Sequence, residues 1–190
     1  MIDIKVVSKD LIPDIGVLFG TDSAASGCWC MWFIISVKDY HAGGSEANRT
    51  RFNDLVQTSD SPVGLLAYVD GSPVGWCAVG PRARFVRAIR TPTLKGRDAS
   101  EDDTVWLVPC FFVRADARQA GVSRALLKRA VSLAKEHGAT AIEGFPYAGA
   151  KRRSGGEVQV GVEPLFAACG FSAVRRPSDN RVVMRRDLTD

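Results

Sequence analysis

The feature that most constrains the fold of this chain is a junction near its middle between an apolar segment and an amphipathic one. Residues 104–113 are apolar almost throughout, which predicts a central strand covered on both faces. From Val122 onward, apolar residues recur at helical spacing, and between the two segments lies a basic turn, Arg118-x-x-Gly121-x-Ser123. The first amides of a helix have no partner within the helix, and its dipole favours negative charge. A strand, a glycine-bearing turn and a helix amino terminus therefore predict a phosphate site.

Pro109 lies inside the predicted central strand. Proline has no N–H to donate to a sheet ladder, so a bulge or a splayed edge is expected at this point. The helix after the basic turn carries Val122, Leu126 and Ala130 on one face and charged residues on the other, and Gly138 is placed to end it.

The remainder of the chain predicts further strands and helices around this junction. Residues 2–6 alternate apolar and charged side chains, as in a half-buried strand, and Ser8 is placed to cap a helix after it. An Asp70-Gly71 turn joins two apolar runs and predicts a hairpin. Additional strands are predicted at residues 141–145, 172–175 and 181–186, helices at 45–58 and 162–169, and loops at 81–103 and 146–161. The apolar residues of 27–33 follow neither the spacing of a helix nor the alternation of a strand.

The length and composition favour one soluble domain over residues 1–190. The chain has 46% hydrophobic and 24% charged residues, which is ordinary for a globular protein. No apolar run approaches the roughly 20 residues that cross a bilayer. The amino terminus lacks the basic-then-apolar pattern of a signal peptide. We therefore expect a cytoplasmic protein with no membrane partner.

The net charge of +4 suits an anionic ligand with several phosphates. It does not require nucleic acid, because aromatic residues are not interleaved with lysine as in a base-stacking surface. The arginines of residues 82–97 also lack the pattern of a recognition helix. We therefore expect no nucleic-acid partner.

Five cysteines, an odd number, favour reduced thiols over a disulfide framework. Cys28 and Cys30 suggest a metal site by their spacing. The other three cysteines are scattered singly through apolar segments, where buried free thiols are common, and only His41 lies near the pair. A structural zinc site needs four ligands, and the sequence offers no evident full set of four here, so no metal is predicted.

The order of these elements resembles that of the GNAT superfamily of acyl-CoA-dependent N-acyltransferases. Three local features agree with it: the basic turn, the hairpin with its Asp-Gly turn, and residues 165–171, which are similar to the family's short fourth helix closing on Gly-Phe. Ser123 stands where the family usually has glycine. Residues 28–32, 110–113 and 143–146 also resemble an actinobacterial-type group within the superfamily.

This resemblance implies an α/β fold with a mixed central sheet, splayed between its fourth and fifth strands and flanked by helices. It also implies acetyl-CoA as the acyl donor. Main-chain groups of the central strand would pair with the pantetheine arm, which carries two amides, and the turn would cradle the pyrophosphate. The implied cofactor-binding residues are Phe111, Phe112, Val113, Arg118, Gln119, Ala120, Gly121, Val122, Ser123 and Arg124. Plain core packing is the alternative for the two phenylalanines.

Lys128 or the arginines of residues 82–97 could neutralise the remote phosphate of CoA. A solvated basic loop is the alternative for most of those arginines.

Acyl transfer to an amine needs a proton acceptor, and the leaving thiolate needs a proton. Glu143, on the short strand that lines the expected splay, is the candidate base or substrate anchor. Its alternative is a strand glutamate that faces solvent. Phe166 occupies the position where many family members have a tyrosine that protonates the thiolate, so Tyr147 or water would take that role.

The acceptor pocket is expected at the first two predicted helices and the loop between them, with Trp29, Met31, Trp32 and Phe33 as its walls. Such a wall suits an apolar or flat cationic acceptor through cation–π contact. The alternative is that this cluster closes one end of the domain.

The sequence therefore predicts an N-acyltransferase that moves an acetyl group from acetyl-CoA to a primary amine of a small molecule or peptide. A catalytically weak acyl-CoA-binding sensor on the same fold is the alternative. Fold analogy also suggests a homodimer through the last two strands.

Overall fold

The computed structural model describes residues 1–149 and 158–189, which build a seven-stranded mixed sheet. Its strands are β1 (Ile2–Val6), β2 (Gly64–Val69), β3 (Ser72–Pro81), β4 (Val105–Val113), β5 (Ala141–Gly144), β6 (Ser172–Ser178) and β7 (Arg181–Asp187). They lie in the order β1-β2-β3-β4-β5-β7-β6, and β4 and β5 are parallel while the other pairs are antiparallel. The predicted mixed sheet flanked by helices is confirmed.

Helices cover the sheet on both faces. They are α1 (Ile12–Phe19), α2 (Ser23–Cys28), α3 (Val37–His41), α4 (Gly44–Thr58), α5 (Val86–Ile89), α6 (Val122–Glu136) and α7 (Glu163–Ala167). No helix in the described part of the chain is long and apolar enough to cross a membrane.

Three local predictions can be compared with the structure in detail. Ser8 precedes a 3₁₀ turn, Lys9–Leu11, and its side chain makes no capping hydrogen bond. Residues 27–33, which follow no period, include the end of α2 and a 3₁₀ turn at Met31–Phe33. The predicted loop at 81–103 contains α5 and short 3₁₀ turns. These elements are one or two turns long, too short to produce a readable period.

Helix α6 packs its apolar side against one face of the sheet. Leu126, Leu127 and Ala130 are fully buried there. Close packing depends on Gly75 in β3, because a Cβ at that position would lie 2.6 Å from Val122 Cγ1. The opposite face is covered by a second core that includes residues of α1 and α4, and by a third core beneath α5.

A β-bulge interrupts the pairing of β3 with β4. Ala78 pairs with Cys110 and Gly80 pairs with Leu107, so two steps along β3 oppose three steps along β4. The extra residue of β4 therefore lies beside Pro109, as the sequence predicts.

The bulge changes which side chains of β4 face α6. Trp106 and Val108 belong to the core on the α6 face before the bulge, and Phe111 belongs to the same core after it. An uninterrupted strand would place Phe111 on the opposite face, because side chains alternate along a strand. Cys110 instead contributes to the core on the other face.

The sheet opens between β4 and β5 directly after the bulge. The two strands pair only through Val105–Val108 of β4, which lie opposite Ala141–Gly144. A 3₁₀ turn at Val158–Val160 lies against β4 beyond this point. The predicted loop at 146–161 falls partly outside the described residues, at 150–157. The predicted splay between the fourth and fifth strands is present.

Candidate active site

The turn before α6 contains two residues with left-handed backbone. Gln119 has φ 66° and Gly121 has φ 83°, and Gly121 is the N-cap of α6. A Cβ added at Gly121 would meet no atom within 4 Å, so glycine is required there by conformation and not by space. Successive turns of this kind point neighbouring N–H groups into one concave surface.

The first turn of α6 leaves its amides open. Ala125 N donates to Gly121 O at 3.0 Å, so the amides of Val122, Ser123 and Arg124 precede the first intrahelical hydrogen bond. No side chain caps the helix start, and its first turn holds no acidic residue. This end of α6 therefore favours an anion.

A cleft of about 430 Å³ lies in front of these amides. It runs from the end of β4 past the turn to α7. Its lining residues are Val113, Ala117, Arg118, Gln119, Gly121, Val122, Ser123, Arg124 and Leu165. Seven of the ten predicted cofactor-binding residues line this one cleft, whereas Ala120 is exposed in the turn beside it.

Arg118 is exposed at the mouth of the cleft, and its Nε donates to Val113 O at 3.1 Å. This hydrogen bond ties the basic side chain to the carboxyl end of β4. The charge therefore lies where the predicted pyrophosphate site meets the predicted pantetheine strand.

The two phenylalanines of β4 point their rings to opposite sides. Phe111 is buried against Phe166, with ring centroids 6.1 Å apart. Phe112 is half-buried on the other face, 6.2 Å from the ring of Phe19. Core packing thus holds for both rings, while the β4 edge opposite β3 faces the splay.

A narrow crevice lies on the other side of the splay and contains three thiols. Its lining residues are Phe19, Ala25, Cys28, Cys30, Cys110, Phe112 and Gln159. Cys30 Sγ accepts from Trp76 Nε1 at 2.7 Å and lies 3.9 Å from Cys110 Sγ. Its hydrogen bond with Cys110 and its burial raise the pKa of Cys30, and burial raises the pKa of Cys28. These two thiols are protonated near neutral pH and are poor nucleophiles.

Sequence reasoning did not place these cysteines at the site. The change of face at Pro109 is the signal that could have indicated Cys110. All five cysteines are free, and the described residues contain no cluster of three or more metal-ligating side chains suited to an ion.

The four residues predicted to form the wall of the acceptor pocket differ in their exposure. Trp29 and Met31 are only 6% and 1% exposed, and Trp29 packs against Phe19 at 5.4 Å. Both side chains belong to the core that includes residues of α1 and α4, which for these two residues favours the alternative, closure of the domain end. Trp32 is 36% exposed, and Phe33 is half-buried 5.6 Å from the ring of Phe145.

The ring of Trp32 already has a cationic neighbour. Arg87 Cζ lies 3.3 Å from its centroid, and Arg49 Cζ lies 5.4 Å from the ring of Trp29. The protein's own guanidinium groups therefore make the cation–π contacts that the sequence suggested for a cationic acceptor.

Glu143 lies in a buried ion-pair network. Its Oε2 accepts from Arg82 Nη1 at 2.8 Å, and its Oε1 accepts from Arg185 Nη1 at 3.3 Å. Only 6% of the side chain is exposed, so the alternative of a solvent-facing glutamate is wrong. Both oxygens already bind guanidinium groups, an arrangement that favours a structural role over proton abstraction.

The arginines of residues 82–97 do not form one basic surface. Arg82 is fully buried, and Arg97 pairs with Asp102 at 2.6 Å. Arg84 holds the carbonyl of Pro62 at 2.6 Å, and burial lowers its pKa to about 10. These three arginines therefore fit neither interpretation: they do not belong to a solvated basic loop, and they do not form a phosphate site. Lys128 is exposed on α6, and its contact with the remote phosphate of CoA stays a prediction.

Tyr147 lies beside the opening. Its backbone N–H donates to Gly161 O at 3.1 Å, and Arg181 Cζ lies 3.8 Å from the ring centroid. A Cβ on Gly161 would lie 3.6 Å from Phe111 Cε2, which places this backbone next to β4. Phe166 is fully buried, with its ring 5.1 Å from that of Phe171.

Comparison with solved structures finds the same fold in acetyltransferases. An N-acetyltransferase from Staphylococcus aureus Mu50 is 16% identical with TM-score 0.57, covering 100% of this chain and 99% of its own. YncA from Salmonella typhimurium, in a structure with its cofactor acetyl-CoA, is 13% identical with TM-score 0.59, covering 100% and 95%. A ribosomal-protein-alanine N-acetyltransferase from Brucella melitensis is 15% identical with TM-score 0.56, covering 98% and 99%.

No curated protein matches the chain significantly. The family model of the acetyltransferase (GNAT) family matches residues 29–147, more than half of the chain. This matched segment includes the bulged strand and the turn with open amides. The protein belongs to the GNAT acetyltransferase family.

Proposed function

We propose that this protein transfers an acetyl group from acetyl-CoA to a primary amine of a small molecule or peptide by direct attack. The observation that carries the proposal is the cleft at the start of α6. Open amides, two left-handed residues and the Arg118 side chain meet there at the end of a strand with one unpaired edge. This combination suits a ligand that joins a pyrophosphate to an extended, amide-bearing arm.

The pyrophosphate would bind the amides of Val122, Ser123 and Arg124, and Arg118 would add charge-assisted hydrogen bonds. The pantetheine arm would lie along β4 beyond the bulge, where β5 has diverged. This path directs the thioester toward the splay, with the cleft on one side and the crevice on the other.

The transfer forms a bond between the amine nitrogen and the acetyl carbon and breaks the bond between that carbon and sulfur. The amine loses a proton to a base, and the departing thiolate gains one. A backbone N–H at the open edge of β4 would stabilise the oxyanion of the tetrahedral intermediate.

Tyr147 and Glu143 remain the predicted residues for proton transfer. Their surroundings favour Tyr147, because it lies beside the splay while Glu143 is bound by two guanidinium groups. Phe166 has no proton to give, so Tyr147 or water would protonate the thiolate. The actinobacterial-type subgroup, which has no settled substrate, adds nothing to this assignment.

A catalytically weak acyl-CoA-binding sensor is the second candidate. It is favoured by Phe166 at the usual acid position and by the engaged carboxylate of Glu143. An acetyltransferase turns over acetyl-CoA when an amine is present, whereas a sensor binds acetyl-CoA with little turnover. Purified protein with acetyl-CoA and a panel of primary amines should release CoA thiol at a rate that depends on the amine, with acetylated product seen by mass spectrometry. Binding of acetyl-CoA without amine-dependent release would favour the sensor.

The predicted homodimer through the last two strands remains a proposal. Strand β6 lies at the edge of the sheet, and five of its seven residues are exposed while the other two are half-buried, which leaves backbone groups open to pairing. Sedimentation velocity on the purified protein tests it.

A further inference from the structure

Arg87 carries a buried guanidinium nitrogen for which the described residues offer no hydrogen-bond acceptor. Arg87 lies on α5, which packs against the 3₁₀ turn Met31–Phe33, and its Cζ stands 3.3 Å over the ring of Trp32. Its Nη1 is shielded from solvent and has no hydrogen-bond partner in the structure. Buried donors are nearly always satisfied, so this nitrogen is an exception that a bound acceptor would explain.

Neighbouring arginines of the same segment show what Arg87 lacks. Arg82 and Arg97 bind carboxylates, and Arg84 donates to backbone and serine oxygens. Within the described residues, no carboxylate pairs with Arg87. It interacts electrostatically with Tyr40 and Cys28.

Those two neighbours are neutral near pH 7. Burial raises the pKa of Tyr40 to about 12, and burial also raises the pKa of Cys28. In the described part of the chain, the half-buried guanidinium therefore has no anionic neighbour to offset the solvation it has lost.

Arg87 is connected to the predicted reaction site through side chains. The ring of Trp32 meets Tyr40 edge-on at 5.0 Å, and Tyr40 interacts electrostatically with Cys28. Cys28 lines the crevice with Cys110 and Phe112, which follow the bulge of β4. These contacts connect Arg87 to the crevice, which lies across the splay from the predicted cofactor cleft.

We propose that Arg87 binds a carboxylate of the acceptor, so that the acceptor is an amine that also carries a carboxylate, such as an amino acid or a short peptide. This inference rests on the proposed acetyl transfer. A guanidinium offers a planar fork of donors that matches a carboxylate, and stacking on Trp32 fixes its plane. The same positive charge disfavours polyamines and other polycationic acceptors.

The first test compares each of the twenty L-amino acids with its α-carboxamide as an acceptor of acetyl from acetyl-CoA. We expect the wild type to prefer at least one acid over its amide by about tenfold or more in kcat/KM, the usual value of a charged hydrogen bond. Arg87→Met should remove this preference and Arg87→Lys should weaken it. Arg90→Met is the matched control, because Arg90 is exposed directly after the same helix. Equal use of acid and amide, or a preference that survives in Arg87→Met, overturns the proposal.

A second measurement separates this inference from the proposed function. Binding of N-acetyl-L-amino acids and their amides is followed by thermal shift in the presence of CoA, which requires no turnover. Selective binding of the acids that is lost in Arg87→Met supports the carboxylate site even if no amine is acetylated. If none of the acids binds selectively, the site is refuted even where neutral amines are acetylated. Circular dichroism checks that the variants fold.

Discussion

Arg82 Nη1 donates to Glu143 Oε2 across 2.8 Å, and the two side chains are 1% and 6% exposed. They come from a 3₁₀ turn after β3 and from β5, and Arg185 of β7 completes the group. Removal of one member of such a pair leaves an unbalanced buried charge, which is more costly than loss of an exposed pair.

Glu143→Gln should lower the free energy of unfolding by about 3 kcal/mol, because the buried guanidinium of Arg82 would lose one of its two carboxylate partners and keep only Asp102. Urea denaturation at pH 7 measures this loss. Glu136→Gln is the control, since Glu136 pairs with Arg129 in an exposed position and should cost less than about 1 kcal/mol. Unchanged stability with a large fall in kcat would instead make Glu143 the catalytic base.

Asp102 should contribute an acid-sensitive part of the stability. Its hydrogen bonds with Arg97, then with Arg82, lower the pKa of this carboxyl in the folded protein. The contribution of Asp102 to the free energy of unfolding is complete above the pKa that this carboxyl has in the unfolded chain, about 3.9. It is lost as the pH falls through the lower pKa that the carboxyl has in the folded protein. The difference in unfolding free energy between wild type and Asp102→Asn should therefore be constant from pH 7 to about 5 and should shrink below about pH 4. A difference that does not change down to pH 2 would contradict this assignment.

Phe166→Tyr should not restore a general acid. A Cβ on Gly144 would lie 2.6 Å from Phe166 Cζ, so the added hydroxyl would enter a packed, apolar space. We expect a loss of about 1–3 kcal/mol in unfolding free energy and no gain in kcat. A clear rise in kcat at unchanged stability would show that the hydroxyl reaches the thiolate.

Tyr147→Phe separates proton transfer from packing. The ring would keep its contact with Arg181, so the melting temperature should stay within a few degrees of the wild type. If Tyr147 supplies the proton to the thiolate, kcat should fall by about a hundredfold, the lower range for general acid catalysis. Wild-type kcat in this variant would assign the proton to water.

The elements that could be predicted from the sequence are those with local causes. The missing N–H of Pro109 predicts the bulge, and the Arg118 to Ser123 spacing predicts the turn that faces the cleft. The strands and the longer helices are set by periodic apolar residues, so their bounds fall within a few residues of prediction.

The features that could not be predicted depend on partners far apart in the chain. Arg82 and Glu143 are 61 residues apart, and nothing in either local sequence indicates that they meet. Trp29 and Met31 give the same aromatic and sulfur-rich signal whether they line a pocket or fill a core. Only the packing of α1 and α4 against them decides for the core.

The central claim is that the cleft at the start of α6 binds acetyl-CoA, and calorimetric titration of wild type, Gly121→Glu and Gly138→Glu tests it most directly. Both glycines have positive φ and open space around a Cβ, but Gly138 follows the far end of α6. We predict micromolar binding by the wild type and by Gly138→Glu. Gly121→Glu should weaken binding at least about thirtyfold, by bulk and like charge at the phosphate site. No binding by the wild type, or equal binding by Gly121→Glu, would contradict the account.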